Sequence, residues 1–158
     1  MSLKSQLQSA LANLAPFQCS QSLAVSEAGQ QLSAELTALD ALALSFDHFT
    51  LTSSPLAAAS LDQLKKVADA LSKRLTYLLE PISPIEIDAD QCVVQLRSSP
   101  PQRDDNGTRY YELLVRRGGE LSLRRYQKES GGVRTTIPAH VTREVFLRLA
   151  DDFSAAAA

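Results

Sequence analysis

Residues 109–128, RYYELLVRRGGELSLRRYQK, decide how this chain folds. Two runs of strand-forming residues flank Gly118-Gly119, so the stretch reads as an antiparallel hairpin. Its register determines which side chains enter a core. With a two-residue loop, Arg117 faces Glu120 and Leu113 faces Arg124, and both faces mix apolar with charged residues. With Gly118-Gly119-Glu120 as the loop, Arg117 faces Leu121, and Tyr111, Leu113, Val115, Leu121 and Leu123 gather on one side. The opposite side then carries Tyr110, Glu112, Arg116, Ser122, Arg124, Tyr126 and Lys128, with Leu114 as the exception. A one-residue slip would move a strand's whole apolar set to the other face, so burial selects the segregating register. Glycine in a left-handed position makes the three-residue loop accessible.

Downstream, Ser130-Gly131-Gly132 returns the chain through a further strand, Val133 to Ile137, which Pro138 ends. Val141, Val145, Leu149 and Phe153 then mark one face of a C-terminal helix that His140 helps to open, with residues 150–158 as a fraying tail. Upstream, Ser98 to Thr108 holds Pro100-Pro101 and Asp104-Asp105-Asn106-Gly107 and reads as a long polar loop. Before it, Ile85 and Ile87, then Cys92, Val94 and Leu96, alternate with polar neighbours as a second hairpin.

Ser60 to Glu80 is the clearest helix. Ser60 and Gln63 fit a capping box; Leu61, Leu64, Val67, Ala68, Leu71, Leu75, Leu78 and Leu79 form an apolar stripe, and Pro81 stops it. Residues 31–52 admit two readings. Their composition favours a helix, whereas alternation at Leu32, Ala34, Leu36 and Ala38, and again at Leu42, Leu44 and Phe46, favours two strands meeting near Asp40-Ala41. The phase changes at Phe49 and Leu51, which a bulge near Asp47-His48 accounts for. At the N-terminus, residues 1–15 form a helix with Leu3, Leu7, Leu11 and Leu14 on one stripe, followed by a polar loop over 16–30.

These elements predict one α+β domain over residues 1–158: a two-layer fold with an antiparallel sheet of about five to seven strands and helices packed on one face. The order of elements resembles the layout of small dimeric secretion chaperones, without any motif of that family. The N-terminal leucine stripe and any uncovered strand edge call for a partner, which a second copy of the chain would supply.

Hydrophobic residues make up 44% of the chain and charged residues 22%, an ordinary globular composition, and the formal net charge of −2 argues against bulk attraction to nucleic acid or an anionic membrane. Positive charge is nevertheless concentrated: residues 91–134 hold nine basic side chains, eight of them arginine, against five acidic ones. Cys19 and Cys92 match no metal-ligand or redox spacing and read as free thiols. No stretch approaches an apolar membrane span, and the N-terminus lacks the apolar run of a signal peptide, so the expected address is the cytoplasm.

Catalytic chemistry is sparse. Asp47 and His48 are adjacent on a strand and point to opposite faces, and His140 has no evident partner, so an enzyme centred on either histidine is the third-ranked reading. No metal or cofactor motif is present. The binding candidates are Tyr110, Arg116, Arg124, Tyr126 and Lys128 on the polar side of the hairpin, and tyrosine and arginine are enriched at protein interfaces. The leading expectation is a non-enzymatic protein-interaction or adaptor domain using that face. The alternative is single-stranded nucleic-acid or anionic-ligand binding by the same residues. The plainer explanation of strand arginines is cross-strand pairing in solvent.

Overall fold

The computed structural model describes residues 1–158. The chain begins with α1 (Leu3–Ala12), β1 (Gln21–Glu27), β2 (Gln30–Leu39), β3 (Ala43–Ser53) and α2 (Leu61–Arg74). It continues with β4 (Ile82–Asp88), β5 (Val93–Ser98), β6 (Gln102–Asp104), β7 (Gly107–Arg116) and β8 (Glu120–Lys128), and ends with β9 (Thr135–Ile137), β10 (Ala139–Thr142) and α3 (Arg143–Ala156). The result is an α+β fold in two layers: a ten-stranded antiparallel sheet whose principal order is β1-β2-β3-β8-β7-β5-β4, with the helices on one face.

The hairpin β7–β8 segregates its side chains as the alternation requires, with Leu113 opposite Leu123, Val115 opposite Leu121 and Tyr110 opposite Tyr126. Its loop differs by one position. Arg116 pairs with Glu120, so the three loop residues are Arg117, Gly118 and Gly119. Both glycines have left-handed φ, 88° and 81°, and a Cβ on Gly119 would stand 2.4 Å from the Ser53 carbonyl oxygen. The end of β3 therefore locks the turn, with Ser53 N donating to Gly119 O at 2.9 Å.

The two-strand reading of residues 31–52 holds. β2 and β3 turn at Asp40-Ala41-Leu42, and their register shifts where Glu35 faces His48 but Leu36 faces Phe46, leaving Asp47 as the bulged residue. The Asp40 carboxylate caps the turn by accepting from the backbone N–H of Leu42 and Ala43, each at 2.8 Å. Those bonds, Ala43's foremost, hold the Asp40 carboxyl below its ordinary value of 3.8. A depressed folded-state pKa gives stability that is present above 3.8 and lost as pH falls through the lower folded value. Asp40→Asn is accordingly expected to flatten the acid limb of a Tm-against-pH curve below that point, while an unchanged acid limb would show that the turn carboxylate plays no part in it.

Several boundaries depart from the sequence reading. Within the expected 16–30 loop lies β1, an edge strand whose alternate residues Leu23 and Val25 are only half-buried. One large apolar side chain per two residues, with Ser22, Ala24 and Ser26 on the exposed side, is all an edge strand under a single helix demands. Helix α1 spans Leu3–Ala12, shorter than the expected 1–15. Helix α2 has the capping box but ends at Arg74, and Leu75 leaves it with ψ of 70°. Beyond it the chain is drawn toward α3, where Tyr77 Oη donates to Asp152 Oδ2 at 2.6 Å and Arg74 Nη1 donates to Asp152 Oδ1 at 3.3 Å. Leu75 and Leu78 stay buried outside the helix, whereas Leu79 is 97% exposed.

Residues 102–104 of the expected polar loop pair with the start of β7 as β6. His140 lies on β10, opposite Ser45, and Thr142 caps α3 instead. The C-terminal tail is docked, not frayed. Phe153 and Ala157 are fully buried, Ser53 Oγ donates to the Ala157 carbonyl at 2.8 Å, and Gln30 and Ser154 exchange two hydrogen bonds.

One cluster of 33 buried residues fills the space between sheet and helices. At its centre Phe46 and Phe49 of β3 meet Phe146 and Phe153 of α3, with Phe49 edge-on to both helix rings at 5.4 and 5.0 Å. Beyond the paired section of β3 and β8 the two strands separate, and a V-shaped segment fills the fork. Strand β9 enters along β8, Pro138 forms the apex, and β10 leaves along β3. No helix is long and apolar enough to cross a membrane.

Candidate functional site

The sheet face away from the helices carries the even-numbered side chains of β7 and β8, and there Tyr110 and Tyr126 face each other across the ladder. Their rings stack at 5.9 Å with 28° between planes. The Arg97 guanidinium covers the Tyr110 ring at 4.6 Å and that of Arg134 covers the Tyr126 ring at 4.0 Å, giving a cation–ring–ring–cation stack. Beside it sits Glu112, only 4% exposed. A single oxygen, Oε2, accepts from Arg134 Nη1 at 2.5 Å and Gln95 Nε2 at 2.8 Å, with Arg97 Nη2 3.8 Å away. The bond from Glu112 raises the Arg134 guanidinium above its already high pKa, so that charge is permanent.

Of the five residues singled out from the sequence, Tyr110, Tyr126 and Lys128 come together. Tyr110 and Lys128 line one cleft of about 670 Å³ with Arg97, Arg103 and Arg134. Tyr110 itself is 5% exposed, because its neighbours cover it. Arg124 is exposed and faces Glu112 across the ladder. Arg116 is remote, at the loop end opposite Glu120, in a hollow that also holds Glu86 and Asp88. The sequence reading missed Arg97, Glu112 and Arg134. A charged residue between Tyr110 and Leu114 on the polar side of a hairpin was the available sign for Glu112; Arg134 follows β8 in an irregular connection that no periodicity marks.

The histidines are separate from this cluster. His48 faces Glu35 across β2–β3, but the Glu35 carboxylate accepts from Ser22 Oγ, and His48 Nδ1 is buried without a hydrogen bond. Cys19 is exposed and Cys92 buried, both as free thiols.

A larger groove of about 930 Å³ opens on the helix side of the sheet, below the end of α2. Its floor is Tyr111 and Arg125, its walls the Tyr77–Pro81 connection, Pro100-Pro101, and the β9–β10 apex with Val145. Arg125 Nη2 donates to Gln102 Oε1 at 3.0 Å and forms an ion pair with Glu80 Oε2 at 3.0 Å, and the guanidinium lies 4.5 Å over the Tyr111 ring. Burial pushes the Tyr111 hydroxyl's pKa up, so it stays a neutral donor. Compared with protein-family models, with curated proteins and with solved structures, the chain matches none, and both surfaces stand on their geometry.

Proposed function

We propose that this protein is a non-enzymatic binding module that docks an acidic segment of another protein on its open sheet face. The observation that carries this reading is the local charge around the tyrosine pair: Arg97, Arg103, Arg124, Lys128 and Arg134 gather about the carboxylate of Glu112, in a chain whose net charge is −2. Glu112 is buried and already bonded to Arg134 and Gln95, and Arg103, Arg124 and Lys128 make no ion pair of their own. A cluster of this kind steers an acidic partner and fixes its orientation. A second copy presents the same positive face, so like charge disfavours self-association through it.

Nucleobase stacking is the weaker alternative. Each tyrosine has one ring face on the other tyrosine and one under an arginine, leaving no free platform of the kind single-strand binders use.

The test uses a fluorescent glutamate-rich peptide and an oligothymidylate of equal length, titrated at low and at physiological salt. The peptide is expected to bind with salt-weakened affinity. Arg103→Ala, Arg124→Ala, Lys128→Ala together should cost at least tenfold, with thermal stability nearly unchanged because all three are exposed. Tighter binding of the oligonucleotide would favour the alternative, and no binding of either probe at low salt removes this face as a docking surface.

A further inference from the structure

Five buried side-chain polar atoms in the protein lack a hydrogen-bond partner, and three of them, Glu80 Oε1, Arg109 Nε and Arg125 Nη1, belong to residues lining the helix-side groove. Buried polar groups are nearly always satisfied, so a concentration of unsatisfied ones points to a missing partner. Arg125 is 9% exposed and grips Glu80 by one leg of its fork, leaving the other nitrogen free. Two guanidinium donors and one carboxylate acceptor therefore go unused in one place. Asp104 reaches only the rim, 3.8 Å from Arg109 Nη2.

We propose that this groove binds a monoanionic carboxylate with a hydrogen-bond donor close to it and an apolar body, the chemistry shared by N-acyl apolar amino acids and polypeptide C-termini. The carboxylate oxygens accept from Arg109 and Arg125, and the neighbouring N–H donates to Glu80. The apolar body lies against Leu78, Ile137, Val141 and Val145, which line the same groove. Its volume, about 930 Å³, lies within the roughly 300–1,000 Å³ of small-molecule sites.

The orphan atoms lie beneath the groove surface, so entry requires one wall to move. The Tyr77–Pro81 connection is the wall suited to it. Leu79 there holds φ of +67°, a left-handed conformation unfavourable for a bulky residue, and keeps a leucine side chain 97% in solvent. A bound apolar body gives that side chain something to cover.

The site is on the opposite face of the sheet from the basic cluster, since Tyr111 and Arg125 alternate with Tyr110 and Tyr126. It therefore stands or falls independently of the docking reading. The experiment is an NMR titration of the full chain with N-acetyl-leucine and with its neutral counterpart, N-acetyl-leucinamide. The acid is expected to shift the backbone amides of residues 77–81, 109–111, 125–127 and 137–145, and the amide to bind at least tenfold more weakly. Arg109→Gln, at a partly exposed position, should weaken the acid by a similar factor, and Val145→Trp should block both. A leucine-terminated peptide that binds tenfold tighter than N-acetyl-leucine identifies a polypeptide C-terminus as the source; equal or weaker binding identifies the small acid. Equal affinity for acid and amide, shifts confined to the other sheet face, or no shifts at millimolar ligand would overturn the proposal.

Discussion

Phe49→Ala is expected to destabilise the protein by about 3–5 kcal/mol, the range for deleting a fully buried aromatic ring. Phe49 has no exposed surface and is the ring that meets all three other phenylalanines at the centre of the core: it tilts against Phe46 at 6.0 Å and meets Phe146 and Phe153 edge-on. Truncation opens a cavity between β3 and α3 at the point where sheet and helix are joined. It also removes edge-to-face contacts worth roughly 0.5–1.5 kcal/mol per pair beyond area burial. Against a total stability of about 5–15 kcal/mol for a domain, that loss is a large fraction. Urea denaturation of Phe49→Ala beside Thr50→Ala, its neighbour on the outward face, separates core packing from strand propensity. The threonine change should cost well under about 1 kcal/mol. Similar costs for the two variants would contradict the described facing of β3.

The second large effect concerns Arg125 and Glu80, whose side chains are 10% and 11% exposed. Arg125→Leu alone is expected to cost about 3–5 kcal/mol, because it strands the Glu80 carboxylate in a buried position without its cation. Glu80→Leu, Arg125→Leu together should recover much of that loss, since a buried ion pair exchanged for well-packed apolar groups is often close to neutral. A four-variant denaturation cycle measures the coupling. If the double variant is as unstable as Arg125→Leu, the dominant interactions of Arg125 are those with Gln102 and the Tyr111 ring.

The central hairpin, the bulge at Asp47 and the capping box at Ser60 were legible because each rests on local pattern: alternation, a phase change, and a serine three residues before a glutamine. The elements that were misread depend on distant partners. Strand β1 shows little apolar alternation because a single helix covers it, and the end of α2 is set by Tyr77 and Arg74 reaching Asp152, which the sequence near residue 75 does not reveal. Similarly, the alanine-rich end reads as frayed until Ser53 and Gln30 are found holding it. The same distinction runs through the site. The common face of Tyr110 and Tyr126 follows from alternation in the hairpin, but their direct pairing depends on the loop beginning at Arg117, and the arginines over their rings come from β5 and from the connection after β8, which alternation within the hairpin could not supply.

The fork between β3 and β8 has a consequence for the order in which the chain can fold. Strand β3 is complete in sequence by Ser53, yet its first residues, Ala43 to Phe46, gain their second neighbour only from Ala139–Thr142. The hydroxyl at its far end meets its acceptor 104 positions later. Contacts this far apart are slow to form, because the loop must close before the pairing rewards it. During synthesis at roughly 5–20 residues per second, the first half of the sheet waits several seconds with an open edge and an unroofed phenylalanine pair. Pro138 at the apex of the wedge is thus a late keystone, and the interval before it arrives is when the nascent chain has most need of protection from aggregation.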